Sequence, residues 1–224
     1  MSTRLDPLTI SADLLYAVKT GGDVAGLRDR LATLERERLS RALASRRQRL
    51  VFWLNCYNAY VQLRLDDGPS LDDGPLSRWR FFARDWIPIA GRWLSLDDVE
   101  HGLLRSSKHP WGLGYLPRPF PSSFERTYRL EEVDPRIHFV LSKGTDKSPP
   151  VTVYSPDDCN EELDVATEWF LDENVSYDPN ENVVTVPRLF LWYQGDFGGR
   201  RGVLEFLRRY DAVPPDATPS LAYD

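Results

Sequence analysis

The chain has 224 residues, 42% of them hydrophobic and 28% charged, with a net charge of −6. That length supports one sizeable core, and that balance belongs to a soluble globular protein rather than a disordered or membrane-spanning one. A net negative chain lacks the excess of Lys and Arg with which general nucleic-acid binders displace counterions. Arg outnumbers Lys 24 to 4 and Asp outnumbers Glu 22 to 12, a bias that fits either a GC-rich genome or an acidic surface suited to high salt.

In chain order, residues 1–44 read as an N-terminal helical extension packed on the body. The apolar stretch near the start is short and broken by Asp13 and Lys19, so neither a signal peptide nor a membrane span is expected, and the location expected is cytoplasmic. A first helix is predicted over 11–20, capped by Ser11 and ended by Gly21-Gly22. A second covers 23–44, with Val24, Leu27, Leu31 and Leu34 at helical spacing. The basic run Arg46-Arg47-Gln48-Arg49 reads as a solvated helix end, with anion attraction as the lesser reading.

The segment FWLNCYNAYVQLRL (52–65) is almost continuously apolar and predicts a central buried helix. Within it Asn55 and Asn58 share a face. A buried Asn needs partners for two donors and an acceptor, so this pair implies a loop backbone to hold, another polar side chain, or a ligand. Two Asp-Asp-Gly-Pro copies over 66–75 are turn chemistry in a surface loop.

Trp86 to Leu94, turning at Ala90-Gly91, predicts a small hairpin. Ser95 and Asp98 then fit a helix-capping signal. The helix they open carries Glu100, His101 and Arg105. His101 and Arg105 face one way and Glu100 lies roughly 100° around the axis. Two readings stay open: a salt bridge with a satisfied core His, or a site in which His101 acts as acid–base and Arg105 grips a carboxylate or phosphate. Residues 106–130 read as an irregular insertion.

Ile137 to Leu141 predicts a buried strand whose alternation puts Arg136, His138 and Val140 on one face, and two readings stay open: that face walls a cleft, or His138 is simply hydrogen-bonded. Pro149-Pro150 forces a loop. Ser155-Pro156-Asp157-Asp158 opens a helix to about Asp172, with Leu163, Ala166, Trp169 and Phe170 inward. A strand over 183–186 and helices over 189–193 and 203–210 complete a body spanning 45–210, and 211–224 is expected to be a loose tail. The fold class is therefore α+β: a helix-rich single domain with a small antiparallel sheet.

Four stretches together resemble the domain of unknown function 547 family. Phe52 to Ala59 resembles its FWINxYNA helix, Leu96 to Arg105 its LxxIEHxILR, Asp134 to Leu141 its DPRIHFAL, and Val186 to Phe197 its closing LPKLFxWYxxDF. The resemblance spans roughly 45–210. It implies no general reaction, and the joining of the domain to other modules in plant relatives implies an interaction role as one reading. Many bacterial members resemble CGAxSCPP after the HFAL strand. Here that stretch is Lys143 to Pro150, with Lys143 and Ser148 at the two Cys positions, so the thiol nucleophile implied by that loop is missing.

Candidate catalytic residues are accordingly His101, His138, Glu100 and Ser148, and candidate substrate-binding residues Asn55, Tyr57, Asn58, Arg105 and Arg136. Ser148 lacks a GxSxG elbow, and Pro149 removes the N–H that would follow a nucleophile. No metal or cofactor is expected, because HExxH spacing and a Gly-rich phosphate loop are both missing. Cys56 and Cys159 fit no zinc or redox spacing. The expected partner is a small molecule or another protein, not nucleic acid or a membrane. Two functions follow: a hydrolase or transferase acting on a small molecule or peptide, or a noncatalytic interaction or scaffold domain whose polar residues form a structural network.

Overall fold

A computed structural model describes residues 6–67, 74–143 and 152–224. Helix α1 (Pro7–Thr20) is capped by Asp6, whose carboxylate accepts from Leu8 N; Ser11, the expected cap, is buried one turn inside. Gly21, at φ 68°, ends it in the left-handed region open to glycine. The single helix expected over 23–44 is two, α2 (Ala25–Ala32) and α3 (Arg36–Ala42).

Helix α4 (Arg46–Asp67) is the central pillar, with every residue from Leu50 to Val61 buried. Its start is a capping box: Ser45 Oγ accepts from Gln48 N and Gln48 Oε1 accepts from Ser45 N. Helix α1 packs along it. After α5 (Pro75–Ala83), strands β1 (Ile87–Ile89) and β2 (Arg92–Leu94) form the expected hairpin.

Ser95 and Asp98 exchange backbone bonds in a second capping box. The helix they open, Asp98–Leu104, is a π-helix. Its i→i+5 bonds include Arg105 N to Glu100 O at 2.8 Å and Ser107 N to Gly102 O at 2.9 Å. A short helix, α6 (Ser123–Tyr128), interrupts the insertion.

The strand expected over 137–141 is instead a 3₁₀ turn, Pro135–Phe139. Pro135 presets the first φ, and Asp134 caps the turn by accepting from Arg136 N. Alternation fails because the turn lies between two apolar cores, where Ile137, His138 and Phe139 are all buried. Ile137 and Val140 join the main core around α4, whereas Phe139 joins a second core with Phe190, Phe197 and Phe206.

Helix α7 (Cys159–Asn174) buries Leu163, Thr167 and Leu171, while Trp169, expected inward, is 45% exposed. Strands β3 (Ser176–Asp178) and β4 (Val183–Val186) pair antiparallel. After α8 (Leu189–Trp192), a 3₁₀ turn (Gln194–Phe197) and α9 (Gly199–Arg209), the chain returns as β5 (Ser220–Tyr223), parallel to β4. The expected loose tail thus supplies a strand, and the second sheet is mixed rather than antiparallel. The α+β class stands. Among the described residues no helix is long and apolar enough to cross a membrane.

Candidate functional site

The paired amides of α4 face backbone. Asn55 Nδ2 donates to Tyr154 O and Asn55 Oδ1 accepts from Tyr154 N, both at 2.9 Å. Asn58 Nδ2 donates to Val140 O at 3.1 Å and its Oδ1 accepts from Ser142 N at 3.0 Å. Each amide stands in for one rung of a β-ladder, fastening the chain on either side of residues 144–151 to the pillar. Both are fully buried, and each gives its amide oxygen and one N–H to backbone.

Arg136 is likewise spent. It pairs with Asp134 and Asp164 at 2.8 and 2.9 Å, and those carboxylates hold its guanidinium above the ordinary Arg range. It fastens the 3₁₀ turn to α7 rather than walling a cleft.

A second polar group lies sealed between the π-helix and the C-terminal motif. Asp196 Oδ2 accepts from Arg105 Nε at 2.6 Å and from His138 Nε2 at 2.9 Å, and all three side chains are 0% exposed. Burial alone would raise Asp196, but His138 and Arg105 outweigh it and hold the carboxylate below its ordinary value. Burial lowers His138 despite the pull of Asp196, so its ring is neutral with the proton on Nε2. The His138 ring stacks on Tyr193 with centroids 3.9 Å apart, and the Arg105 guanidinium lies 4.5 Å from the centroid of the Tyr193 ring. Among the described residues, Arg105 Nη2, Asp196 Oδ1 and His138 Nδ1 are buried without a hydrogen-bond partner. His138 therefore lines no open surface.

The outer face of the π-helix is different. Here Asp97, Glu100 and His101, with Lys143 and Tyr193, floor a cleft of about 710 Å³. Its walls are Trp79, Phe82, Trp111, Leu113, Leu189 and Trp192. Glu100 accepts from Tyr57 Oη at 3.1 Å, from Tyr193 Oη at 2.9 Å and from the Lys143 ammonium. Burial would raise this carboxyl, yet Lys143 above all holds it well below the usual carboxylate range. Tyr57 thus buttresses Glu100 from the core and lies behind the floor.

His101 Nδ1 is 2.7 Å from Arg105 Nη1. A guanidinium can only donate, so Nδ1 accepts and the neutral ring carries its proton on Nε2. Burial first, and then Arg105 and Lys143 against the pull of Glu100, lower His101 to about 3. Its Nε2 stands 3.7 Å from Asp97 Oδ1. Burial and the charge of Glu100 raise Asp97 to about 6.

One wall of this cleft is bolted to the sealed group. Gly195 N donates to Leu113 O at 2.8 Å, and a Cβ on Gly195 would lie 2.4 Å from the Gly114 carbonyl carbon. Backbone contact this close requires glycine. It fixes the loop bearing Trp111 and Leu113 to the turn bearing Asp196.

A family model described as a protein of unknown function, DUF547, matches residues 41–171, more than half of the chain. The chain belongs to the DUF547 family. No curated protein and no solved structure matches it. The matched span holds Asn55, Asn58, Glu100, His101, Arg105, His138 and Lys143, whereas Tyr193 and Asp196 follow it. In this DUF547 chain the ammonium of Lys143, at the first of the two Cys positions read from the sequence, is directed at Glu100. Ser148 lies outside the described residues. Asp97, Tyr193, Asp196 and the three Trp residues are not among the candidates read from the sequence, although Asp97, Trp192, Tyr193 and Asp196 fall inside the motif stretches quoted above.

Proposed function

We propose that the cleft on the outer face of the π-helix binds a small organic molecule or peptide group and performs acid–base chemistry on it, as a hydrolase or transferase does. The observation that carries this reading is the division of labour between two neighbouring carboxyls. Asp97 titrates near 6, where a carboxyl exchanges protons efficiently at neutral pH, while Glu100 remains ionised. In this scheme Asp97 moves the proton. His101 presents a fixed Nε2–H as hydrogen-bond donor, Arg105 sets that tautomer, and Glu100 anchors the charge of the floor.

The second reading, a noncatalytic interaction or scaffold domain, is favoured by one observation: Asn55, Asn58, Arg136, Arg105 and His138 are all engaged internally. Native mass spectrometry of the purified chain incubated with a metabolite and peptide extract separates the two. The enzyme reading expects a bound adduct and a product whose formation stops in Asp97→Asn while the adduct persists. An adduct without any Asp97-dependent product establishes the noncatalytic reading.

A further inference from the structure

The class of ligand follows from what the cleft offers and what it would penalise. Three Trp side chains line it, and each keeps a large apolar face in water: Trp79 is 56% exposed, Trp192 56% and Trp111 81%. Such platforms reward a ligand with flat apolar faces. A wholly apolar ligand is nevertheless disfavoured. It would cover Asp97 and the His101 N–H without giving them hydrogen-bond partners, and each polar group so stranded costs about 1–3 kcal/mol.

Net charge narrows the choice further. Among the described lining residues the cations Arg78 and Lys143 are matched by the anions Asp97 and Glu100, with His101 neutral. A cationic ligand would therefore meet no net field of attraction, and neither would an anionic one. What remains is an uncharged molecule with hydroxyls that both donate and accept on its edges and C–H groups on its faces.

We propose that the cleft binds a neutral saccharide, its C–H faces on Trp111 and Trp192 and its hydroxyls on Asp97 and the His101 Nε2–H. The assignment rests on the cleft reading given above and adds the ligand class to it. The equatorial hydroxyls of a sugar ring point outward from the ring edge, while its axial C–H bonds make up the apolar faces. These hydroxyls can reach a mixed donor–acceptor floor while the ring lies against indole.

The test is a titration of the intact chain with neutral gluco-, manno- and galacto-oligosaccharides. Tryptophan fluorescence and saturation-transfer NMR are the readouts, with short uncharged peptides and charged metabolites as comparison arms. The expected result is binding of at least one neutral saccharide with altered Trp emission. Trp111→Ala and Trp192→Ala should each weaken that binding about tenfold. Binding of saccharide unaffected by either substitution overturns the assignment, because the site would lie elsewhere. Binding of peptides or charged metabolites alone, with the same Trp dependence, overturns the saccharide class and leaves the cleft as a ligand site. Failure of every class to bind in a Trp-dependent way overturns both.

Discussion

The π-helix has two polar faces built from the same kinds of residue, and they are used in opposite ways. Inward, Arg105 meets Asp196 and His138 in a group with no exposure at all. Outward, Asp97, Glu100 and His101 floor an open cleft ringed by exposed indoles. The inner group brings distant segments to one point. The outer one leaves a carboxyl near neutrality and apolar surface in water, neither of which a structural role requires. Residue type therefore does not distinguish the two faces here; the exposed indoles beside the outer one do.

That contrast breaks first at its inner side. Removing the shared carboxylate with Asp196→Ala leaves Arg105 buried without its counter-charge and should cost about 3–5 kcal/mol in urea unfolding. A loss under 1 kcal/mol would show that water reaches the group. Asn58→Ala strands the Val140 carbonyl and the Ser142 N–H, and a loss of about 2–4 kcal/mol is expected by the same measurement.

The outer face should respond with the opposite sign. The Asp97 carboxyl is near 6 when folded and 3.8 in the absence of the fold. Between those values the folded chain binds more protons, so this group favours folding at low pH and that contribution is lost as pH rises through 6. Asp97→Asn removes the charge, and a gain of about 1–2 kcal/mol above pH 7 that vanishes below pH 4 is expected from thermal melts. His101 runs the other way. Its folded value of about 3 lies below 6.5, so its contribution is full above 6.5 and is lost as pH falls toward 3. The smallest effect belongs to Trp111→Ala, which should leave stability within about 0.5 kcal/mol while weakening ligand binding. A large loss there would make the indole a structural prop.

Much of this was legible in the sequence, for reasons that can be named. The apolar continuity of Phe52 to Leu65 marked α4, and Ala90-Gly91 between Ile87 and Leu94 marked the hairpin. Ser95 with Asp98 marked the start of the π-helix but not its type, since a widened turn has no local signature. The turn at Pro135 to Phe139 was misread because residues buried on every side lose the alternation that identifies a half-buried strand. Glu100, His101 and Arg105 stand close together in the sequence, yet which face of the helix met solvent depended on Tyr193 and Asp196, some ninety residues later. The amides of Asn55 and Asn58 announced a need for partners without saying that backbone would meet it.

The widened turn at Asp98–Leu104 has a mechanical consequence. Its i→i+5 bonds accommodate one residue more per turn than the pitch of α4 would allow. Deleting a single residue there would let the segment relax to ordinary pitch and swing Arg105 roughly 100° about the axis. The guanidinium would be drawn away from its carboxylate and the imidazole freed to change tautomer. The extra residue thus works as a gear tooth: it keeps the interior and the cleft in step, so that neither can be re-registered without the other.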